Sequence, residues 1–373
     1  MIFLNFFKKE KKITISPDVN KKIKMGFWEN IIKKKKPFFV LAPMADVTDV
    51  AFRIIIAKYS RHENSIGFIS SFKNNEAGAC LAKLTERSGG PDVFWTEFVS
   101  ADGLQSAGRE KLLIDLAFEK DQHPIVAQIF GSNEENMERT ARLCAKLGFD
   151  GIDINMGCPD KSIMKQGCGA GHIQNPEHAI KIIEAVKRGA RDLPVSVKTR
   201  LGFNKNEIDT WIPKILSAGI AVLTIHGRTK KDMSKVPARW DDIKKVVDLV
   251  RASGLKTLVI GNGDVLSLED GRAKAEQSGV DGLMLGRAIF GNPWLFDQTK
   301  KEVTVKEKLE VMLEHTRTFV EYLGQHKNFN IMKKHYKAYV NNFHGAKELR
   351  IKLMQSDNLE QIEKLTKEFL DSQ

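Results

Sequence analysis

Cysteine is scarce and unpatterned in this chain: Cys80, Cys144, Cys158 and Cys168 are the four among 373 residues. There is no Cys-x-x-Cys pair and no histidine at metal-ligand spacing, which argues against a metal centre and against a disulfide framework. Thiols spread this thinly point to a reducing, cytoplasmic setting. Long apolar runs are also missing. The opening Met-Ile-Phe-Leu-Asn-Phe-Phe is too short to span a bilayer, and no small-residue cleavage site follows it. The sequence therefore gives no reason to expect a membrane anchor or a signal peptide.

Positive charge is plentiful, and its placement matters more than its total of +12. Residues 1–36 carry eleven lysines against three acidic residues, whereas residues 37–300 are nearly neutral. A second basic stretch, 327–352, sets Lys327, Lys333, Lys334, Lys337, Lys347, Arg350 and Lys352 against Glu348 alone. With 42% hydrophobic residues there is ample apolar material for a large core. A basic segment beside a neutral core suits a polyanion, though a solvated helix face would read the same way by charge alone.

From residue 37 onward, short apolar runs alternate with segments of helical period. Runs at 38–42, 92–97, 124–130, 151–156, 195–201, 222–226, 257–261 and 282–285 read as eight strands. Helical spacing is clearest at 133–147 and 176–188, the latter opened by Asn175 as cap and Pro176 in the first turn. Eight strands with helical crossovers over 37–300 predict a (β/α)8 TIM barrel. Beyond Trp294 the period becomes helical throughout, at 305–323, 331–342, 346–355 and 359–372, and predicts a small C-terminal helical bundle over 301–373. Two stretches stand outside this pattern. Residues 60–90 read as an insertion with weak helical signal at 76–86, and residues 1–24 read as a separate basic lead, the working protein then beginning near Met25.

Polar residues gather where each strand run ends, which on a barrel of this kind is the face that carries chemistry. They are Pro43, Met44 and Ala45; Glu97; Gln128; Asn155 with Cys158; Lys198 with Arg200; His226 with Arg228; Asn262, Gly263 and Asp264; and Gly286 with Arg287. The last two groups follow strands seven and eight, the usual phosphate cradle of the fold, and Arg287 has the bidentate fork for a phosphate. Cys158 is set apart by Pro159, which forces the chain out of the strand and leaves the thiol on a loop. Cys168, in the glycine-rich segment that follows, lacks that placement. A lone cysteine is by default a small core residue, so the assignment rests on this surrounding pattern.

Together these pieces resemble the bacterial tRNA-dihydrouridine synthase family. The resemblance rests on Ala42-Pro-Met-Ala-Asp46, Val126-Ala-Gln-Ile-Phe-Gly131, Asp153-Ile-Asn-Met-Gly-Cys-Pro159, Val197-Lys-Thr-Arg200, Thr224-Ile-His-Gly-Arg228, Gly261-Asn-Gly-Asp264, Gly286-Arg287 and Met332-Lys-Lys-His335. It implies reduction of the C5=C6 bond of tRNA uridines, with FMN as cofactor and NADPH or NADH as reductant. Carried onto this chain, it implies that Pro43, Met44, Ala45, Gln128, Lys198, His226, Asn262, Gly263, Asp264, Gly286 and Arg287 bind the flavin. Cys158 would be the proton donor, and Asn155, Arg200, Lys333, Lys334, Lys337 and Arg350 would meet the tRNA. Two other readings use the same residues: an FMN barrel acting on a small pyrimidine, and an RNA-binding protein without catalysis.

Overall fold

The computed structural model describes residues 18–34, 37–63 and 87–372. Eight parallel strands form a barrel: β1 (Phe38–Leu41), β2 (Phe94–Ser100), β3 (Ile125–Phe130), β4 (Gly151–Met156), β5 (Val195–Arg200), β6 (Val222–His226), β7 (Leu258–Asn262) and β8 (Gly282–Leu285). β8 pairs with β1, and the circle is completed where Val40 bridges Val93 and the Asp92 amide donates to the Phe39 carbonyl at 2.7 Å. Almost every strand residue is buried, because helices cover the outside and side chains fill the inside.

The helices follow from local signals. Glu134–Leu147 is capped by Asn133, Pro176–Ala190 by Asn175 and Leu268–Ser278 by Ser267, each side chain accepting a backbone N–H of the first turn. Such a cap contributes about 1 kcal/mol and fixes where the helix begins. The second strand starts later than its apolar run suggested. Asp92 lies before it, its carboxylate accepting the Phe39 amide at 2.7 Å, and pairing with β3 shifts register between Trp95 and Phe98.

The chain between β1 and β2 keeps its crossover helix, Val50–Ser60, intact. The insertion leaves from its end and returns as a two-stranded antiparallel ribbon, Arg61–Glu63 against Arg87–Gly89. It is therefore an addition to the crossover helix and not a replacement for it. The weak helical signal at 76–86 lies outside the described residues.

Residues 18–34 seal the floor of the barrel. Val19, Ile23, Met25 and Trp28 are buried, and the Trp28 ring meets Phe38 and Trp95 at 5.6 and 6.0 Å. Asn20 bridges the Gly254 carbonyl and the Lys256 amide at 2.8 and 2.9 Å. Residues 18–24 are thus packed on the barrel, while 1–17 lie outside the described residues.

The C-terminal helices Val305–Leu323, Met332–Tyr339, Ala346–Gln355 and Leu359–Asp371 form a bundle against the Val50–Ser60 helix. Phe52 stacks on His315 at 4.9 Å and meets His335 at 4.8 Å. Beside them the half-buried Lys327 lies between Glu97 at 2.6 Å and Asp115 at 2.8 Å. Two carboxylates hold this ammonium in its charged form and raise its pKa. Among the described residues no helix is long and apolar enough to cross a membrane, and no group of three or more His, Cys, Asp or Glu side chains could hold a metal.

Candidate active site

At the C-terminal end of the barrel a cavity of about 500 Å³ opens between the loops that follow β1, β5, β6, β7 and β8. That volume is within the ~300–1,000 Å³ span of small-molecule sites. Pro43, Met44, Lys198, His226, Asn262, Gly263, Asp264, Gly286 and Arg287 line it, as does Arg228. Ala45 is exposed outside the cavity. Gln128 is fully buried away from it, and Arg228 is a lining residue that the sequence-based set of binders omitted.

Two arginines converge on one carboxylate. Arg228 donates through Nη2 to Asp264 Oδ2 at 2.5 Å, and Arg287 donates through Nη2 to Asp264 Oδ1 at 2.5 Å. Burial alone would raise the Asp264 pKa, but the Arg228 hydrogen bond, the Ala238 amide and the charges of both arginines bring it below the ordinary carboxylate value. Arg228 is 2% exposed and is also tied to the Val236 carbonyl, whereas the Arg287 side chain is 66% exposed. One guanidinium is therefore fixed and the other is open to a ligand. The carboxylate itself would repel a phosphate, so Asp264 acts by orienting the two cations. Gly263 sits between them at φ +120°, and a Cβ there would press on the Ala238 side chain at 2.8 Å. Only glycine fits.

His226 and Lys198 form the inner wall. Arg228 Nη1 donates to His226 Nε2 at 3.1 Å, which requires an unprotonated nitrogen. Burial, then the charges of Lys198, Arg200, Arg228 and Arg287, push the imidazole pKa well below its usual value, so it stays neutral. Lys198 donates to Asn262 Oδ1 at 3.1 Å, and the Asn262 amide donates onward to the Met284 carbonyl at 2.8 Å. Burial and the neighbouring Arg200 charge bring Lys198 down to about 8.

Cys158 is held by a chain of hydrogen bonds rooted deep in the barrel. Ser196 donates to Asp153 Oδ1 at 2.5 Å, Gln128 donates to Asp153 Oδ2 at 2.6 Å, and Asn155 donates to Gln128 Oε1 at 3.0 Å. Asn155 Oδ1 then accepts the amides of Gly157 at 3.1 Å and Cys158 at 2.9 Å. Asn155 and Gln128 thus shape the loop that presents the thiol. Asp153 belongs to this chain and is pushed up to about 6 by burial. A polar residue inside the apolar run 151–156 was the signal for it.

The far side of the loop is pinned as well. The Cys158 carbonyl accepts the Ala170 amide at 2.9 Å across Gly169, where φ is +57° and a Cβ would lie 2.7 Å from that carbonyl. Arg200 donates through Nε to the Gly157 carbonyl at 2.7 Å and through Nη1 to the Thr229 and Met233 carbonyls at 3.1 Å each. Its first contribution is therefore to tie the loop after β4 to the loop after β6. The half-buried Cys158 thiol has its pKa raised, chiefly by desolvation and further by the Asp160 charge, with the Asp160 amide, Arg200 and Lys198 opposing. At neutral pH it keeps its proton. Cys168 is buried and faces the Gln166 carbonyl at 3.5 Å.

On the bundle, Lys334 and Lys337 are exposed, and Lys334 reaches Asp46 of the β1 loop at 3.2 Å. Lys333 lies 3.4 Å from Asp357, and Arg350 donates to the Val340 carbonyl at 3.0 Å. Of these four basic residues, the first pair is the more open to a ligand.

The family model for dihydrouridine synthase (Dus) matches residues 40–373 of the chain. A protein of Staphylococcus aureus (strain Mu50 / ATCC 700699), named probable tRNA-dihydrouridine synthase, is 37% identical over 350 residues, covering 93% of this chain and 96% of that protein. Probable tRNA-dihydrouridine synthase 2 of Bacillus subtilis (strain 168) is 38% identical over 350 residues, covering 92% and 96%. Among solved structures, a variant of NCR from Zymomonas mobilis aligns with a TM-score of 0.41 at 14% identity, over 73% of this chain and 90% of that one. A likeness that slight carries no inference about activity.

Proposed function

This chain belongs to the dihydrouridine synthase family, and we propose that it reduces the C5=C6 bond of uridines in tRNA to 5,6-dihydrouridine, with FMN as bound cofactor and NADPH or NADH as reductant. The observation that carries the reading is the Cys158 loop, held at the end of β4 by its amide hydrogen bond to Asn155, on the same face of the barrel as a cavity lined by Lys198, Arg228 and Arg287.

The cavity fits a flavin mononucleotide in volume and in charge. Arg287, with Arg228 fixed behind it, suits the phosphate, and the bare backbone at Gly263 allows close approach. When bound, FMN supplies the hydride for the uracil C6 carbon and is recharged by the nicotinamide. Lys198 places positive charge in the inner wall, where it would hold a cofactor that gains negative charge. Cys158 gives its proton to uracil C5 as negative charge develops there. The raised pKa keeps that proton on sulfur until it is needed, and the Gly157 and Cys158 amides donating to Asn155 Oδ1 fix where the thiol stands.

A uracil stacked in RNA hides its C5=C6 face, so the nucleotide has to leave the stack to enter the mouth. Lys334 and Lys337 on the bundle supply cations for the phosphates of the surrounding tRNA. Both the substrate and the reduced thiols suit a cytoplasmic protein. The test is mass spectrometry of nucleosides from tRNA incubated with the protein, FMN and NADPH. A gain of two hydrogens on uridine is expected. No gain from protein that carries flavin and binds tRNA would overturn the reading.

A further inference from the structure

We propose that Glu97 is a positioning residue for the cofactor: its buried carboxylate, anchored by Lys327 of the C-terminal region, holds the turn after β1 in the shape that sets Pro43 and Met44 in the cavity wall. The proposal rests on the cavity being the flavin site. Glu97 belongs to β2, is buried, and does not itself line the cavity. Its two oxygens serve two different partners. Oε1 accepts the Asp46 amide at 2.5 Å, and Oε2 accepts the Lys327 ammonium at 2.6 Å.

Asp46 is the residue at which the turn needs support. The Val47 amide donates to the Met44 carbonyl at 3.2 Å and the Met44 amide donates to Thr48 Oγ1 at 2.9 Å, which makes residues 44–48 a tight turn. Within it Asp46 has φ +52°, in the left-handed region where a Cβ is crowded. Aspartate enters that region more readily than most residues, and a charged acceptor on its amide holds it there. Pro43 and Met44 lead into the turn and line the cavity. The Met44 sulfur lies 3.6 Å from where a Cβ on Gly286 would stand, so the β1 loop meets the β8 loop at this wall. A turn that relaxes shifts it.

A contact that only docked the bundle would also join Glu97 to Lys327, and the surroundings separate the two roles. The bundle has other anchors: Lys327 also pairs with Asp115 at 2.8 Å, Lys58 and Tyr59 both reach Glu314 at 2.6 Å, and Phe52 packs on His315 and His335. The remaining charges near Glu97 are committed elsewhere. Asp49 caps the helix Val50–Ser60 through the Phe52 amide at 2.9 Å, and Arg53 donates to the Thr48 carbonyl at 2.5 Å and to Gln122 at 3.0 Å. The Asp46 carboxylate pairs with Lys334 at 3.2 Å, but both side chains are about half exposed, and such a pair holds little. The buried, charge-assisted bond from the Asp46 amide to Glu97 is therefore the stronger hold on the turn.

The experiment compares Glu97→Gln with Asp115→Asn in the full chain. Each removes one carboxylate from Lys327, and FMN affinity by flavin fluorescence is read alongside the thermal midpoint. Glutamine offers one acceptor and one donor group where Glu97 has two acceptors, so it cannot serve both the Asp46 amide and Lys327. The expected result is FMN binding about tenfold weaker in Glu97→Gln and within about twofold of wild type in Asp115→Asn, with a lowered midpoint in both. Adding Asp46→Gly to Glu97→Gln should return most of the lost affinity, because glycine takes a positive φ without support. The exposed Asp46 gives a second route that spares the buried carboxylate. Asp46→Ala and Asp46→Gly both lose the Lys334 pair, and only the alanine variant should bind FMN more weakly. An equal loss in Glu97→Gln and Asp115→Asn, a loss that Asp46→Gly does not return, or equal affinities of the two Asp46 variants overturns the proposal. Wild-type protein that binds FMN no better than Glu97→Gln does removes the role of Glu97 and leaves the flavin reading standing. Wild-type protein that binds no FMN removes that reading and this proposal with it.

Discussion

The two ends of the barrel share eight strands and have opposite designs. At the floor, Trp28, Phe38 and Trp95 pack ring on ring, and the short N-terminal segment closes the end with apolar side chains. At the mouth, His226, Arg228, Asp264 and Arg287 stand within one connected set of hydrogen bonds and ion pairs, and Lys198 is held beside them by Asn262. The floor gains free energy from water exclusion, whereas the mouth holds desolvated polar groups that only their neighbours, or a ligand, compensate. Stability and chemistry are therefore separated along the barrel axis, and each can be disturbed without the other.

The largest effect expected on this contrast is at the mouth. Cys158→Ala should lower turnover of tRNA uridine by about 10²–10⁴, the contribution typical of a positioned acid. Flavin content, tRNA affinity and thermal midpoint should stay near wild type, and turnover within a few-fold of wild type would take the acid role away from Cys158. The floor should behave in the opposite way. Trp28→Ala removes a side chain that is 1% exposed and should cost about 3–5 kcal/mol in denaturant unfolding. Its turnover, measured below the shifted midpoint, should be nearly normal, and a drop in turnover without a drop in stability would break the separation.

The smallest effect sharpens the electrostatic side. In the cofactor-free protein Lys198 loses its proton as pH rises through about 8. An anionic cofactor favours the charged ammonium, so binding above that pH takes up a proton. Affinity for FMN should then be flat below about 8 and fall by up to about tenfold per pH unit above it. A titration by flavin fluorescence reads this directly, and Lys198→Met should flatten the curve.

How much of this was legible beforehand differs residue by residue. The barrel was, since strand runs, caps such as Asn175 and helical spacing are local features. Cys158 was as well, because Pro159 marks the strand end. The partners of Gln128 were not: its place at the end of β3 suggested a ligand contact, and only the fold shows its amide bridging Asp153 and Asn155. For Arg200, whose place at a strand end suggested a substrate contact, the sequence did not show that its guanidinium ties the β4 and β6 loops through their carbonyls. Arg228 was visible at a strand end, but nothing local distinguishes a buried guanidinium facing a carboxylate 36 residues away from an exposed one.

Sequence by itself determined the eight strands, the helical C-terminal region, the thiol on its loop and the positions of the basic segments. These follow from spacing, capping and charge, which act over a few residues. Tertiary structure alone decided which polar groups face the cavity and which are consumed holding one another, and which lysines keep their charge unpaired. It also made residues 18–34 the floor of the barrel and set the helical bundle against the helix Val50–Ser60. Those outcomes depend on partners brought together by closing the barrel, and the free energy of a buried polar group is set by those partners rather than by its neighbours along the chain.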